Sequence, residues 1–364
     1  MAINQDEFKA IISGRRRDAK ASVARSLLRA ASLGYRLAVG IRNGLYNRHM
    51  LRSHRANAVV MSVGNLTTGG TGKTPVVVWL CRKINQQSRI KNQNCCEAIL
   101  TRGYKTQPSR LADEPALLGA QCPDVPVVVN PDRVAGAAEA IQAHGAQVLV
   151  MDDGFQHRRL ARDLDIVAVD ATVPFGYGQL LPAGLLREPV SSLKRAHAVV
   201  LTRCDQVSEE ALARIEAEIR RINRDLVIAR SIHAPVAVRA AEGAEIPLAQ
   251  IKGKRVFAFC GIGNPQAFFR TIERLGAMPA GTKVFDDHHH YTAEDVLAVH
   301  NEARRRQAPL VLTTQKDWTK VAQSTLPKGE PLLAYLAIDL RITSGEEMLT
   351  ALIDRVLGGR MLGQ

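Results

Sequence analysis

Val59-Val60-Met61-Ser62-Val63-Gly64-Asn65-Leu66-Thr67-Thr68-Gly69-Gly70-Thr71-Gly72-Lys73-Thr74-Pro75 is an apolar run that enters a glycine-rich turn and leaves it through Lys-Thr-Pro. The run Ala58–Val63 predicts a strand. Pro75–Asn85 predicts a helix, because the N–H that proline lacks is not needed in a helix's first turn. Strand, glycine turn and helix in that order make a phosphate-binding loop, in which backbone N–H groups turn inward around phosphate oxygens. Thr67, Thr68, Gly69, Gly70, Thr71, Gly72, Lys73 and Thr74 are therefore expected to bind ATP. Lys73 would neutralise the β- and γ-phosphates and the Thr74 hydroxyl would bind Mg²⁺. The common pattern GxxxxGK[ST] has its first glycine where Thr67 stands here. The competing reading is an ordinary glycine turn, and the Lys-Thr pair between a strand and a helix argues against it.

A phosphate loop needs an acid at the end of a neighbouring strand. The strand expected over Gln147–Met151 ends in Asp152-Asp153, followed by Gly154-Phe155-Gln156-His157. Two acids there can hold Mg²⁺ directly or through water; a plain turn is the alternative. Thr202-Arg203-Cys204-Asp205 faintly echoes the guanine-reading Asn-Lys-x-Asp, but Asn and Lys are both missing, so GTP specificity is discounted.

Working outward, β-branched runs at Glu97–Thr101, Val125–Val129, Asp165–Val169 and Ala198–Thr202 alternate with helical stretches at Asp132–His144 and Glu209–Asn223. Such alternation predicts a parallel sheet covered on both faces. A second α/β set follows, with strands at Arg255–Cys260, Leu310–Thr314 and Leu332–Leu340 and helices at Pro265–Leu275 and Ala293–Gln307. The expected fold is α/β: a P-loop kinase-like parallel sheet sandwiched by helices, with a second, smaller α/β domain. Residues 1–55 form a basic helical segment, 56–225 the nucleotide domain, 226–250 a linker of little pattern, and 251–364 the second domain.

The 364 residues are 46% hydrophobic, which excludes general disorder. Of the net charge of +14, residues 1–55 carry +9, as twelve Lys/Arg against three acids. A basic end on a nearly balanced body points to a polyanion. A helix over 21–51 places Leu27, Leu33, Leu37, Ile41 and Leu45 near one face and most arginines elsewhere, which suits a membrane interface or a packed surface helix equally well. A nucleic-acid module would need aromatics among these charges, and the helix over 21–51 offers Tyr35 and Tyr46 alone. The six cysteines show no CxxC or zinc spacing and read as cytoplasmic thiols. No run approaches the ~20 apolar residues of a membrane span. No signal-peptide core is present and no obligate protein partner is evident.

With these residues in hand, the chain from about residue 33 to about 355 resembles the tetraacyldisaccharide 4'-kinases. The likeness rests on an ordered set: Ser62–Thr67 through Thr74-Pro75; Thr101-Arg102-Gly103-Tyr104; Asp113-Glu114-Pro115; Asp152–His157; Leu181-Pro182-Ala183-Gly184 with Arg187-Glu188; Gly261-Ile262-Gly263-Asn264-Pro265; Asp287-His288; and Lys316-Asp317. The resemblance implies an enzyme at the cytoplasmic face of the inner membrane. Such an enzyme moves the ATP γ-phosphate to the 4'-hydroxyl of an acylated glucosamine disaccharide 1-phosphate. It implies Asp113 as base with His288 as its partner, and Lys73 and Asp153 as further catalytic groups. Glu114, Asp152, Asp153 and Gln156 join Thr74 as Mg²⁺ candidates. Asn65, Arg102, Arg187 and Glu188 fall near the nucleotide or sugar. By residue type alone, Asp113-Glu114-Pro115 is a helix start and Lys316-Asp317 an exposed ion pair. Thr101, Lys105 and Gln315 depart from the family's usual Ser, Gly and Glu. Asp113 in the first half and His288 in the second would require the domains to close. The rival within the class is a membrane-associated P-loop ATPase acting as a switch or assembly factor.

Overall fold

The computed structural model describes residues 5–90, 96–103, 113–240, 243–287, 289–327 and 329–361. In chain order the elements begin with α1 (Gln5–Ile12), α2 (Ala19–Asn47), β1 (Val59–Asn65), α3 (Lys73–Ile90), β2 (Glu97–Thr101) and α4 (Asp113–Gln121). Then come β3 (Val127–Val129), α5 (Arg133–His144), β4 (Val148–Asp152), β5 (Leu164–Asp170), β6 (Ala198–Thr202), α6 (Glu209–Ile222) and β7 (Val227–Ala240). The chain continues through β8 (Glu245–Ile246), β9 (Arg255–Cys260), α7 (Pro265–Arg274), β10 (Met278–Val284) and α8 (Ala293–Arg305). It ends in β11 (Leu310–Thr314), α9 (Gln315–Val321), β12 (Leu332–Ser344) and α10 (Glu346–Met361).

Two compact units result. Unit 1 comprises Met1–Tyr104, Gln121–Ile232 and Ile342–Gln364; unit 2 comprises Lys105–Ala120 and His233–Arg341. The division departs from the expected boundaries in three places. The segment 226–250 contains the 14-residue strand β7, whose apolar positions are broken by Arg, His and Pro and so carry little pattern. Helix α10 belongs to unit 1. The part of α4 up to Ala120 groups with unit 2.

In unit 1, β6, β5, β1, β4, β2 and β3 lie side by side in that order, all parallel, and the first residues of β7 pair with β6. Strands β1, β2, β4, β5 and β6 are buried along their whole length, as a sheet covered on both faces requires. Ala137 and Ala140 of α5 pack with Val60, Leu100, Leu149 and Met151 in one core cluster, while Leu212, Ile215 and Ile219 of α6 share another with Val167, Val199 and Leu201. Helix α10 packs against α3 and β1 and buries Leu349, Ile353 and Leu357. Asp132 caps α5 by accepting from the N–H groups of Val134 and Ala135, and Gly145 ends it in the left-handed conformation. Because β1 is flanked by β4 on one side and β5 on the other, the strand order reverses there and opens a crevice at the carboxyl edge.

Unit 2 has its own parallel core, with β10 beside β9, β9 beside β11 and β11 beside β12. Phe268, Phe269 and Ile272 of α7 belong to one apolar cluster, and Val296, Val299 and Ala303 of α8 to another. Asp317 is not half of an exposed pair. It is fully buried and accepts from the Gly261 N–H at 3.1 Å and the Thr314 hydroxyl at 2.7 Å, while Lys316 reaches Asp287 at 3.5 Å.

Candidate nucleotide and phosphoryl-transfer site

The site grows from the end of β1. Backbone φ is +103° at Gly69 and +81° at Gly72, values that L side chains resist, and α3 begins at Lys73 directly after the second. Thr67 stands at the first-glycine position because the chain is extended there: it bridges antiparallel to Leu186. The next residue's N–H donates to the Leu185 carbonyl at 2.8 Å, and the Arg187 N–H donates to the Leu66 carbonyl at 2.7 Å. Residues 185–187 thus brace the loop from outside. From inside, the Asn65 amide donates to the Thr71 hydroxyl at 2.8 Å. Gly64 lets the turn after β4 approach, since a Cβ there would lie 2.5 Å from that of Phe155.

The carboxylates arrive on β4. Asp152 ends the strand, almost fully buried, and its carbonyl accepts from Arg133 at 3.1 Å. Asp153 turns the chain with φ +53°. Arg187 grips its two oxygens with a fork at 2.7 and 2.9 Å, and Lys73 Nζ lies 3.5 Å away. Burial pushes this carboxyl up, but Lys73 and Arg187 outweigh it and hold it well below the usual range. Gln156 donates to the Asn65 carbonyl at 2.8 Å. Its Oε1 is buried without a protein hydrogen-bond donor among the described residues. Lys73, Thr74, Asp152, Asp153, Gln156, Asn65 and Arg187 therefore share one edge of unit 1, and Arg102 lies exposed just past the end of β2.

Glu188 faces elsewhere. Fully buried, it accepts from Arg42 at 2.7 Å and Asn43 at 3.1 Å on α2 and pairs with Arg195 at 2.8 Å. Burial raises its carboxyl, yet Arg195 and then Arg42 bring it below the ordinary value. Tyr35 adds a hydrogen bond to the Arg187 carbonyl at 3.0 Å. One face of α2 is thereby fastened to unit 1 beside the site. Its other face exposes Val23, Leu27, Leu33, Leu37 and Ile41, each more than half exposed. No described helix is long and apolar enough to cross a membrane.

Asp113 and Glu114 begin α4, as their residue types predict, but their side chains lie outside the described residues, as does His288. Arg133, Arg42 and Asn43 were given no site role from the sequence, and Thr202 entered only in the discounted guanine echo. Arg133 gave no signal beyond following a helix cap; the others act across more than a hundred residues of chain.

The family described as LpxK, Tetraacyldisaccharide-1-P 4'-kinase, matches residues 24–358. A tetraacyldisaccharide 4'-kinase of Anaeromyxobacter sp. strain K is 37% identical over 356 residues, 92% of each chain. One from Halothermothrix orenii is 34% identical over 81% of this chain and 82% of its own. Among solved structures, the "apo" form of LpxK from Aquifex aeolicus in complex with ATP is similar, with a TM-score of 0.70 and 29% identity, covering 92% of this chain and 99% of that one.

Proposed function

The chain belongs to the tetraacyldisaccharide-1-P 4'-kinase family, and from that premise we propose that it moves the γ-phosphoryl group of ATP to the 4'-hydroxyl of a tetraacyldisaccharide 1-phosphate, the lipid A precursor. The observation that carries the reading is the meeting of the loop Thr67–Thr74 with Lys73, Asp153 and Arg187 at one strand edge.

In the resting site Lys73 leans on Asp153. Incoming phosphates offer it a stronger partner, so Lys73 passes to the β- and γ-oxygens while the Arg187 fork keeps Asp153 in place. Thr74, Asp152, Asp153 and Gln156 present only oxygen to this edge, which fits a hard cation such as Mg²⁺ that keeps several waters and shares the phosphates. Glu114 is a further candidate by resemblance. When bound, Mg²⁺ supplies charge neutralisation across the β- and γ-phosphates. Asp113, oriented by His288, takes the proton of the 4'-hydroxyl. That oxygen bonds to the γ-phosphorus, the bond to the bridging oxygen breaks, and ADP leaves with the electron pair. The roles of Asp113 and His288 rest on the resemblance.

The exposed stripe of α2, with Arg29 and Arg36 exposed beside it, supports peripheral docking on the anionic cytoplasmic face of the inner membrane, where the acylated substrate lies. The test is transfer from labelled ATP to a tetraacyl disaccharide 1-phosphate in detergent micelles. Wild type should label the lipid, and Lys73→Ala should cut the rate by about 10²–10³-fold, the usual loss for one group that stabilises transition-state charge. ATP hydrolysis without lipid labelling would favour the switch or assembly ATPase instead.

A further inference from the structure

The amino-terminal edge of the sheet in unit 1, opposite the edge that carries the phosphate loop, holds a cavity of about 660 Å³. Small-ligand sites fall in this size range. Lys194, Ala196 and His197, on the approach to β6, line it together with Val227 at the start of β7 and a face of α10. All of these belong to unit 1. The five residues of β6 separate the cavity from the carboxyl edge, about 16 Å at the rise of a strand.

Two kinds of side chain meet there. Met348, Ala351, Leu352 and Arg355 fall on one stripe of α10, apart from the stripe of Leu349, Ile353 and Leu357 that is buried in the core. Met348 is 54% exposed, and an unbranched thioether this open adapts to an irregular aliphatic guest. No Phe, Tyr or Trp lines the cavity among the described residues, so nothing there stacks on a planar ligand. The polar part has a definite sign. Lys194 and Arg355 are exposed and enter no ion pair among the described residues, and Asp225 offsets one of them. Arg195 also lines the cavity, but buried Glu188 meets its charge at 2.8 Å. One positive charge is left over. His197 adds a donor of fixed tautomer: the Asp165 N–H donates to its Nδ1 at 2.9 Å, so the neutral ring carries its proton on Nε2. Its backbone is held on both sides, with its N–H donating to the Asp165 carbonyl at 2.9 Å and its carbonyl accepting from the Val227 N–H at 3.2 Å.

We propose that this cavity binds a fatty-acid carboxylate, with its chain along Met348, Ala351 and Leu352 and its head among Lys194, Arg355 and the Nε2–H of His197. The lining is aliphatic, which suits an acyl chain. The single surplus charge balances a carboxylate, which carries one, and leaves a phosphate dianion half-matched. A carboxylate also only accepts hydrogen bonds, and Lys194, Arg355 and His197 Nε2–H all donate. The proposal is independent of the kinase reading, since it concerns the opposite edge of the sheet. A bound chain covers the open stripe of α10 and so favours the docked helix, which links occupancy to the stability of unit 1.

The test uses the full-length protein and laurate below its micellar concentration, with neither nucleotide nor lipid acceptor present. Binding is read by calorimetry and by the thermal midpoint, which laurate should raise. Acetate, a head without a chain, and dodecyltrimethylammonium, a chain with the opposite charge, should leave the midpoint unchanged. Arg355→Glu, a change at an exposed position, should weaken laurate about ten- to hundredfold, the loss of one charge-assisted hydrogen bond. Ala351→Trp, which fills the cavity from an exposed position, should abolish binding. The open stripe of α2 is a second apolar surface, so a protein carrying Leu33→Glu and Leu37→Glu serves as the control and should bind laurate as wild type does. Wild-type affinity in Arg355→Glu or Ala351→Trp overturns the proposal. So does loss of binding in the α2 control, tighter binding of dodecyl phosphate than of laurate, or a midpoint that laurate does not move.

Discussion

At the scale of single residues, the site is a set of charges held far from their solution behaviour. His157, last of the Asp-Asp-Gly-Phe-Gln-His run, is pushed down to about 4 by burial, with Arg133 adding to the effect. Its unfolded value is near 6.5. Between those values the unfolded chain binds the extra proton, so His157's contribution is fully present above about pH 6.5 and is lost as pH falls toward 4. His157→Gln should flatten the pH dependence of the urea midpoint between pH 6.5 and 4, compared with wild type. Equal slopes in the two proteins would remove His157 from the account. Much of the site was legible because Lys73, Thr74, Asp153 and Gln156 sit in short contiguous runs whose chemistry is local. Arg133 and Thr202 were not. Their partners, Asp152 and Thr71, are carbonyl oxygens reached only after folding, and no residue pattern announces a backbone acceptor.

Among the elements, α2 is divided most sharply. Ser32, Tyr35, Val39 and Arg42 face unit 1, while Leu33, Leu37 and Ile41 face away. Replacing Leu33 and Leu37 by Glu should leave the thermal midpoint nearly unchanged, since exposed substitutions shift stability by about 0.5 kcal/mol or less. The same change should abolish sedimentation with anionic liposomes. Added salt should weaken binding of the wild type, because each basic residue near such a surface contributes about 1 kcal/mol. Undiminished sedimentation of the double variant would confine α2 to its packing role. The period of this helix, and the unbroken apolar runs of β1, β2 and β4–β6, could be read from the sequence because burial there is uniform. Strands β7 and β10 could not. One mixes Arg, His and Pro into its alternation, and the other, Met-Pro-Ala-Gly-Thr-Lys-Val, is mostly exposed or half-buried and slips register near Gly281.

On the scale of the whole molecule, unit 1 is assembled from both ends of the chain. Helix α10 completes it: Leu349 and Ile353 are fully buried, and Lys83 of α3 pairs with Glu346 at 2.7 Å. Ile353→Ala should cost about 2–5 kcal/mol, read by urea unfolding, and nucleotide should partly restore the midpoint. Ending the chain after Arg341 removes four buried aliphatic side chains, Ile342, Leu349, Ile353 and Leu357, worth about 1.5–3 kcal/mol each, comparable to the 5–15 kcal/mol that stabilises an ordinary domain. Such a protein should fail to bind ATP, and retained binding would show α10 to be dispensable. The arrangement also sets an order in time. During synthesis the phosphate loop leaves the ribosome early, while the helix that packs behind α3 leaves only after unit 2. Domains fold as they emerge, but this one has to wait until the whole of unit 2 has been made. A chain halted before α10 carries the loop without the support behind it, so translation itself withholds the nucleotide grip until that helix is made.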